Sequence, residues 1–153
     1  MKVLYVDLET TGLNPVHDQV LEIGMVIDDL LDRKPLDQLP RFNELIHHSR
    51  YSGHPKALAM NAKLLDAIAT NDSAYLHMKA GDVSHFLVKW LDYHWKGGKS
   101  LNIGGKNVAG FDVPFLKTLL GITQDEPLKI GSYSVKQRAV DPGMLFLRDD
   151  DDC

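Results

Sequence analysis

The segment VLYVDLETTGL, Val3 to Leu13, constrains this chain more than any other stretch. Val3, Leu4, Tyr5 and Val6 read as a buried strand, and that strand runs into Asp7, Leu8 and Glu9. Side chains alternate faces along a strand, so Asp7 and Glu9 point to the same side. Two like charges at that spacing repel each other and resist burial, and a positive charge between them relieves both costs. Thr10, Thr11 and Gly12 follow directly. Glycine lets a backbone come close to a ligand, and the hydroxyls offer donors to a phosphate or a sugar. Hard carboxylate oxygens on a rigid strand suit Mg²⁺ or Mn²⁺ better than zinc. Chance supplies about half of one Asp-x-Glu pair in a chain of this composition, so the context carries the signal, against a plain solvated strand end.

The remaining elements follow from periodicity and turn residues. Gly12 to Pro15 is a turn, and Asp18–Asp29 reads as a second strand in a hairpin-like relation to the first. Arg41–His48 reads as a third strand, and His54–Thr70 as one helix with Pro55 at an early position. Asp82–Lys96 places Val83, Phe86, Leu87, Trp90, Leu91 and Trp95 near the spacing of an amphipathic helix. Ser100–Lys106 is a short strand ending in glycines, and Phe111–Gly121 a helix stopped by Gly121. The segment from Lys136 to Leu147 reads as a further strand with a turn or short helix at Pro142. Three strands, two helices, a strand, a helix and a strand make an α/β pattern with an antiparallel start.

VDLETTGL resembles the first motif of the DEDD exonucleases (DEDDh type), the group that includes polymerase proofreading subunits, ribonuclease T and oligoribonuclease. GKNVAGFDVPFL resembles the second, with Asn107, Phe111 and Asp112 at the matching places. The likeness covers Lys2 to about Phe146. It implies a ribonuclease H-like fold, with a mixed five-stranded sheet flanked by helices, and removal of nucleotides from 3′ ends with two divalent ions, Mg²⁺ or Mn²⁺. It implies Asp7, Glu9 and Asp112 as metal ligands and catalytic residues, Asp112 having the plain alternative of a carboxylate in a first helical turn. It also implies that Thr10, Thr11 and Gly12 contact the terminal nucleotide and that Leu13 wedges against its base. Met60 and Asn61 would line the same pocket, with core packing the equal alternative for Met60. Asn107 would hold the strand-to-helix turn or touch substrate, and Phe111 would stack on a base or pack in the core.

The resemblance breaks at a third motif, His-x-x-x-x-Asp or Tyr-x-x-x-Asp, which brings the general base and a fourth carboxylate in the family. Neither pattern follows Asp141. His77 and Asp82 have the first spacing but fall between the other two motifs, a chance-level match. His47 and His48 read as surface residues. The expectation is a chain missing its last helix, weakly active, with an apolar sheet patch that favours homo-oligomers.

Composition sets the outer limits. A single domain over residues 1–148 with an acidic tail at 149–153 accounts for the length. Net charge is −4, and Asp149 to Asp152 supply as much, leaving a neutral body compatible with a short single-stranded nucleic acid rather than a long duplex. No apolar run spans a bilayer and no secretory signal is evident, so no membrane partner and a cytoplasmic setting are expected. Cys153 is the lone cysteine and forms no intramolecular disulfide. Three functions remain open: a metal-dependent 3′–5′ exonuclease on single-stranded DNA or short RNA, an inactive or accessory 3′-end-binding module, and an internally cutting nuclease of the same fold.

Overall fold

The computed structural model describes residues 1–136. Its centre is a mixed sheet of seven strands in the order β4-β3-β2-β1-β5-β7-β6, where five strands were expected. The three central elements are those the alternation signalled: β1 (Lys2–Thr10), β2 (Val20–Asp29) and β3 (Arg41–His47), all antiparallel neighbours. β5 (Ser100–Gly104) lies parallel to β1 on its other side. The additional strands are β4 (His77–Lys79), β6 (Lys129–Ile130) and β7 (Tyr133–Lys136). They have two to four residues each, too short to show an alternating pattern. The strand and turn expected from Lys136 to Leu147, and the acidic tail, fall almost wholly outside the described residues.

Leu4, Val6 and Leu8 of β1 face one side of the sheet and meet Ile23, Met25 and Ile27 of β2 in the main core. Helix α3 (Val83–His94) covers that side with Val83, Leu87 and Leu91, all fully buried, and Trp95 just past its end. Phe86, expected on the same stripe, is exposed. Helix α4 (Val113–Leu119) adds Val113, Phe115 and Leu116. Gly121, at φ +75°, stops it, and the Ile122 N–H donates to the Lys117 carbonyl at 2.7 Å. That backbone geometry is nearly free for glycine and costly for other residues.

The expected helix over His54–Thr70 is two helices, α1 (Pro55–Met60) and α2 (Ala62–Ala69). Asn61 interrupts them at φ −103°, ψ 20°, and its side chain is drawn to another part of the chain. Ala67 and Ile68 of α2 pack on Leu21 and Leu45, on the face of the sheet opposite α3. No helix among the described residues is long and apolar enough to cross a membrane.

Candidate active site

Asp7 is exposed and Glu9 half-buried, both on the β1 face that turns away from α3 and α4. β5 pairs with β1 only as far as Tyr5 and Gly104, so the far end of β1 has no ladder partner on that side. Asp112 takes the vacant position: its Oδ1 accepts the N–H of Leu8, the residue between the two strand carboxylates, at 3.1 Å. Residues 104 places away in sequence are thereby brought against the Asp-x-Glu pair.

The segment that delivers Asp112 is unusual. Asn107 adopts the left-handed conformation, φ 52°, and Val108–Asp112 form a π-helical turn before α4 begins. A π turn takes in one more residue than an α turn and is frequent at functional sites. Here it lets Val108 and Asp112 both point inward, with 3% of Asp112 exposed. Gly105 precedes it; a Cβ there would lie 2.6 Å from the Val6 carbonyl oxygen, so only glycine lets the end of β5 approach β1 this closely.

Electrostatics mark the three carboxylates as one group. Burial pushes the Asp112 carboxyl up to about 7, with Asp7 and Glu9 adding to the rise and the Leu8 N–H opposing it. Glu9 is raised by partial burial and then by Asp7. A fourth acid joins them that the sequence reading missed. Glu22 stands directly across from Glu9 on β2, and burial, Glu9 and Asp7 together raise its carboxyl. The register of the hairpin was needed to find it, because alternation along β2 alone says only that Glu22 faces away from the main core.

The donor set is wholly carboxylate, which fits a hard divalent cation. Among the described residues no three such groups converge on a single point as a preformed metal site would. The two observations agree if the side chains, repelling one another, turn inward only around a cation.

The loop after Glu9 is shaped by a bulge. Glu9 pairs with Glu22 but Thr10 pairs with Val20, so Leu21 is an extra residue on β2. Thr10 Oγ1 donates to the Gly12 carbonyl at 2.7 Å, and Thr11, fully buried, accepts the Gln19 N–H through Oγ1 at 2.8 Å. The two threonine hydroxyls thus fold the loop. A Cβ at Gly53 would collide with the Thr11 carbonyl oxygen, so glycine is needed there, whereas one at Gly12 would displace the Asp18 carboxylate. Helix α1 is tied across this loop at both ends, by the His54 N–H on the Thr11 carbonyl at 2.8 Å and by Asn61 Nδ2 on the Thr10 carbonyl at 3.0 Å.

Leu13 and Met60 are left 84% and 76% exposed on either side of a recess of about 440 Å³. Met60 therefore lies in the recess wall and not in the core. Phe111 is half-buried against Phe115, their rings 5.0 Å apart, and packs on the main core. Asp7 also borders a second recess, of about 380 Å³, whose polar wall carries Arg41, Asn43 and Lys106.

His77 is on β4, three strands from β1, or roughly 14 Å away at the usual strand spacing. His47 and His48 are half-buried rather than free on the surface: His47 Nε2 meets His77 Nδ1 at 2.7 Å, and His48 Nε2 meets the Val20 carbonyl at 2.7 Å.

Comparison with known proteins places this geometry. The chain is 30% identical over 141 residues to the DNA polymerase III subunit epsilon of Treponema pallidum (strain Nichols), covering 90% of this chain and 56% of that protein. It spans little more than half the length of that relative. No protein-family model matches. In fold it is similar to exonuclease I from Methylocaldum szegediense, with a TM-score of 0.55 at 17% identity over 78% of this chain and 23% of the other. It is similarly related to E. coli exonuclease I in complex with a dT13 oligonucleotide, with a TM-score of 0.54 at 17% identity over 78% and 23%. The sheet and helices are those of the ribonuclease H-like fold, with seven strands among the described residues.

Proposed function

We propose that the chain is a DEDD-type 3′–5′ exonuclease that removes nucleotides one at a time from the 3′ ends of single-stranded nucleic acid, a reading supported by its likeness to a DNA polymerase III subunit epsilon and by its fold. One observation carries the reading: Asp112 is hydrogen-bonded to the amide between Asp7 and Glu9, so three acids from two distant motifs form one group. Asp7, Glu9 and Asp112 are the residues that would hold the divalent ions, Mg²⁺ or Mn²⁺. A pair of such ions supplies an activated water and charge stabilisation at the leaving oxygen.

The chain's own residues do the positioning. The Thr10–Gly12 backbone, folded by its two hydroxyls, presents the loop beside the carboxylates. Leu13 and Met60 offer apolar walls to the terminal base, and Asn61 fixes the distance between them through Thr10. Asn107 sets the left-handed entry to the turn that carries Asp112, and Phe111 anchors that turn in the core. Burial of Asp112 keeps bulk water from one side of the group. A cytoplasmic setting fits this chemistry.

A second reading, a module that holds 3′ ends without cutting, is favoured by one feature: among the described residues the carboxylates do not converge on a single point as a preformed metal site would. A 5′-labelled single strand incubated with Mn²⁺ or Mg²⁺ separates the readings. Stepwise mononucleotide release, lost in Asp112→Asn, is the expected result. Retention without cleavage would support the binding module, and internal products would overturn the exonuclease reading.

A further inference from the structure

The recess between Leu13 and Met60 holds a cation that none of the motifs accounts for. Lys56 lies in its wall, exposed, one turn before Met60 on α1. Surface lysines are commonly paired or simply solvated, and an isolated one carries little meaning. Lys56 differs in three respects. It is the basic side chain among uncovered apolar walls, where a bound base would lie against Leu13 and Met60. Among the described residues no carboxylate is within ion-pairing distance of it. Asp18, in the same recess, is already engaged: its Oδ2 accepts the Asn14 N–H at 2.9 Å.

The backbone under Lys56 is also fixed. His54 Nδ1 accepts the Lys56 N–H at 3.2 Å, and the His54 N–H holds the Thr11 carbonyl. The side chain therefore starts from a defined point beside the carboxylate loop, while its flexible stem can follow a charge. The four acids around Asp7 repel a polyanion, and the net charge of the body offers no general attraction to offset them. A strand that reaches these acids needs a local cation to hold its backbone.

We propose that Lys56 is a phosphate-binding residue of the recess, holding the sugar-phosphate backbone at the 3′ end while Leu13 and Met60 hold the terminal base. This rests on the exonuclease reading and adds a contact that reads charge rather than sequence. A phosphate contact on a single strand contributes about 0.7 to the slope of log affinity against log salt.

The test is fluorescence anisotropy with a short 5′-fluorescein oligothymidylate, in Ca²⁺ in place of Mg²⁺, across a series of NaCl concentrations. Lys56→Gln is expected to weaken binding roughly three- to tenfold at low salt and to flatten the slope by about 0.7. Lys56→Arg should keep the slope, as should Lys34→Gln, a change in the loop between β2 and β3. Replacing the last two phosphodiesters by uncharged methylphosphonates should erase the difference between wild type and Lys56→Gln. The proposal is overturned if Lys56→Gln keeps the wild-type slope, if Lys34→Gln flattens it equally, or if the loss depends on the terminal base with the slope unchanged. Failure of the wild-type protein to bind the strand at all would instead overturn the exonuclease reading, and this contact with it.

Discussion

Asn61 Nδ2 and the Thr10 carbonyl oxygen, 51 residues apart, meet at 3.0 Å and join the break between two helices to the end of the carboxylate strand. Asn61→Ala leaves that half-buried carbonyl without its donor, at a cost of about 1 kcal/mol. For a domain of this size the melting temperature should drop by only about 2–4 °C. The distance between Leu13 and Met60 loses its tie at the same time, so kcat/KM on a single strand should fall by roughly tenfold or more. Melting and single-turnover cleavage measured side by side check this, and an equal loss in both would reduce Asn61 to a structural residue.

Asp112 sets the pH response of the metal-free protein. Its carboxyl, pushed up to about 7 by burial and its acidic neighbours, binds a proton more tightly folded than unfolded. Stability from this group is therefore full at low pH and declines as pH rises from the ordinary carboxylate range towards 7. The bound on the loss is about 4 kcal/mol at ~1.4 kcal/mol per unit, with relaxation reducing it. Asp112→Asn should flatten the decline, and Mg²⁺ should raise the melting temperature of the wild type but not of the variant. Thermal melts in chelator at a series of pH values give the answer.

Asp7→Asn should cut metal-dependent cleavage by roughly 10²-fold or more. It should also stabilise the metal-free chain slightly, because Asp7 raises both Glu9 and Glu22. Activity lost together with stability would mean that Asp7 serves the fold. Glu22→Gln tests the acid that the hairpin register brought to light: the tightness of metal binding by calorimetry should change while the melting temperature does not fall.

The two imidazoles His47 and His77 share one hydrogen between ring nitrogens 2.7 Å apart, so both cannot carry a full charge in that geometry. Burial lowers the His47 pKa first, and His77 and His48 lower it further. The His77 ring also acts electrostatically on Glu44 of β3. A lowered folded pKa means that the unfolded chain binds the proton more readily. The His47 contribution is present above about 6.5 and is lost as pH falls below it. Its slope runs opposite to that of Asp112. Urea unfolding of His47→Gln at pH values on both sides of that point should show less acid sensitivity than the wild type.

How much of this was legible in the sequence varies with distance along the chain. Asp7 and Glu9 were readable from alternation alone, since both lie on one strand. Asp112 was readable only through its motif, because its bond to Leu8 depends on where β5 stops. The break at Asn61 was hidden by apolar residues that continue on both sides of it, in Leu58, Leu64 and Leu65. Glu22 and the His47–His77 pair needed strand register, which a one-residue slip would have reversed. β4, β6 and β7 are held by neighbouring strands and have too few residues to announce themselves.

The extra residue at Leu21 separates two parts of the molecule mechanically. Upstream of it, the ladder from Lys2 to Glu9 fixes the acids in step with β2. Beyond it, the pairing restarts out of step, and the Thr11–Gln19 loop with helix α1 follows the new phase. Residues can be inserted or removed in that loop without moving Asp7 or Glu9 to the other side of the sheet. The loop and helix around Leu13 and Met60 can therefore be remodelled while the carboxylates of β1 stay in place.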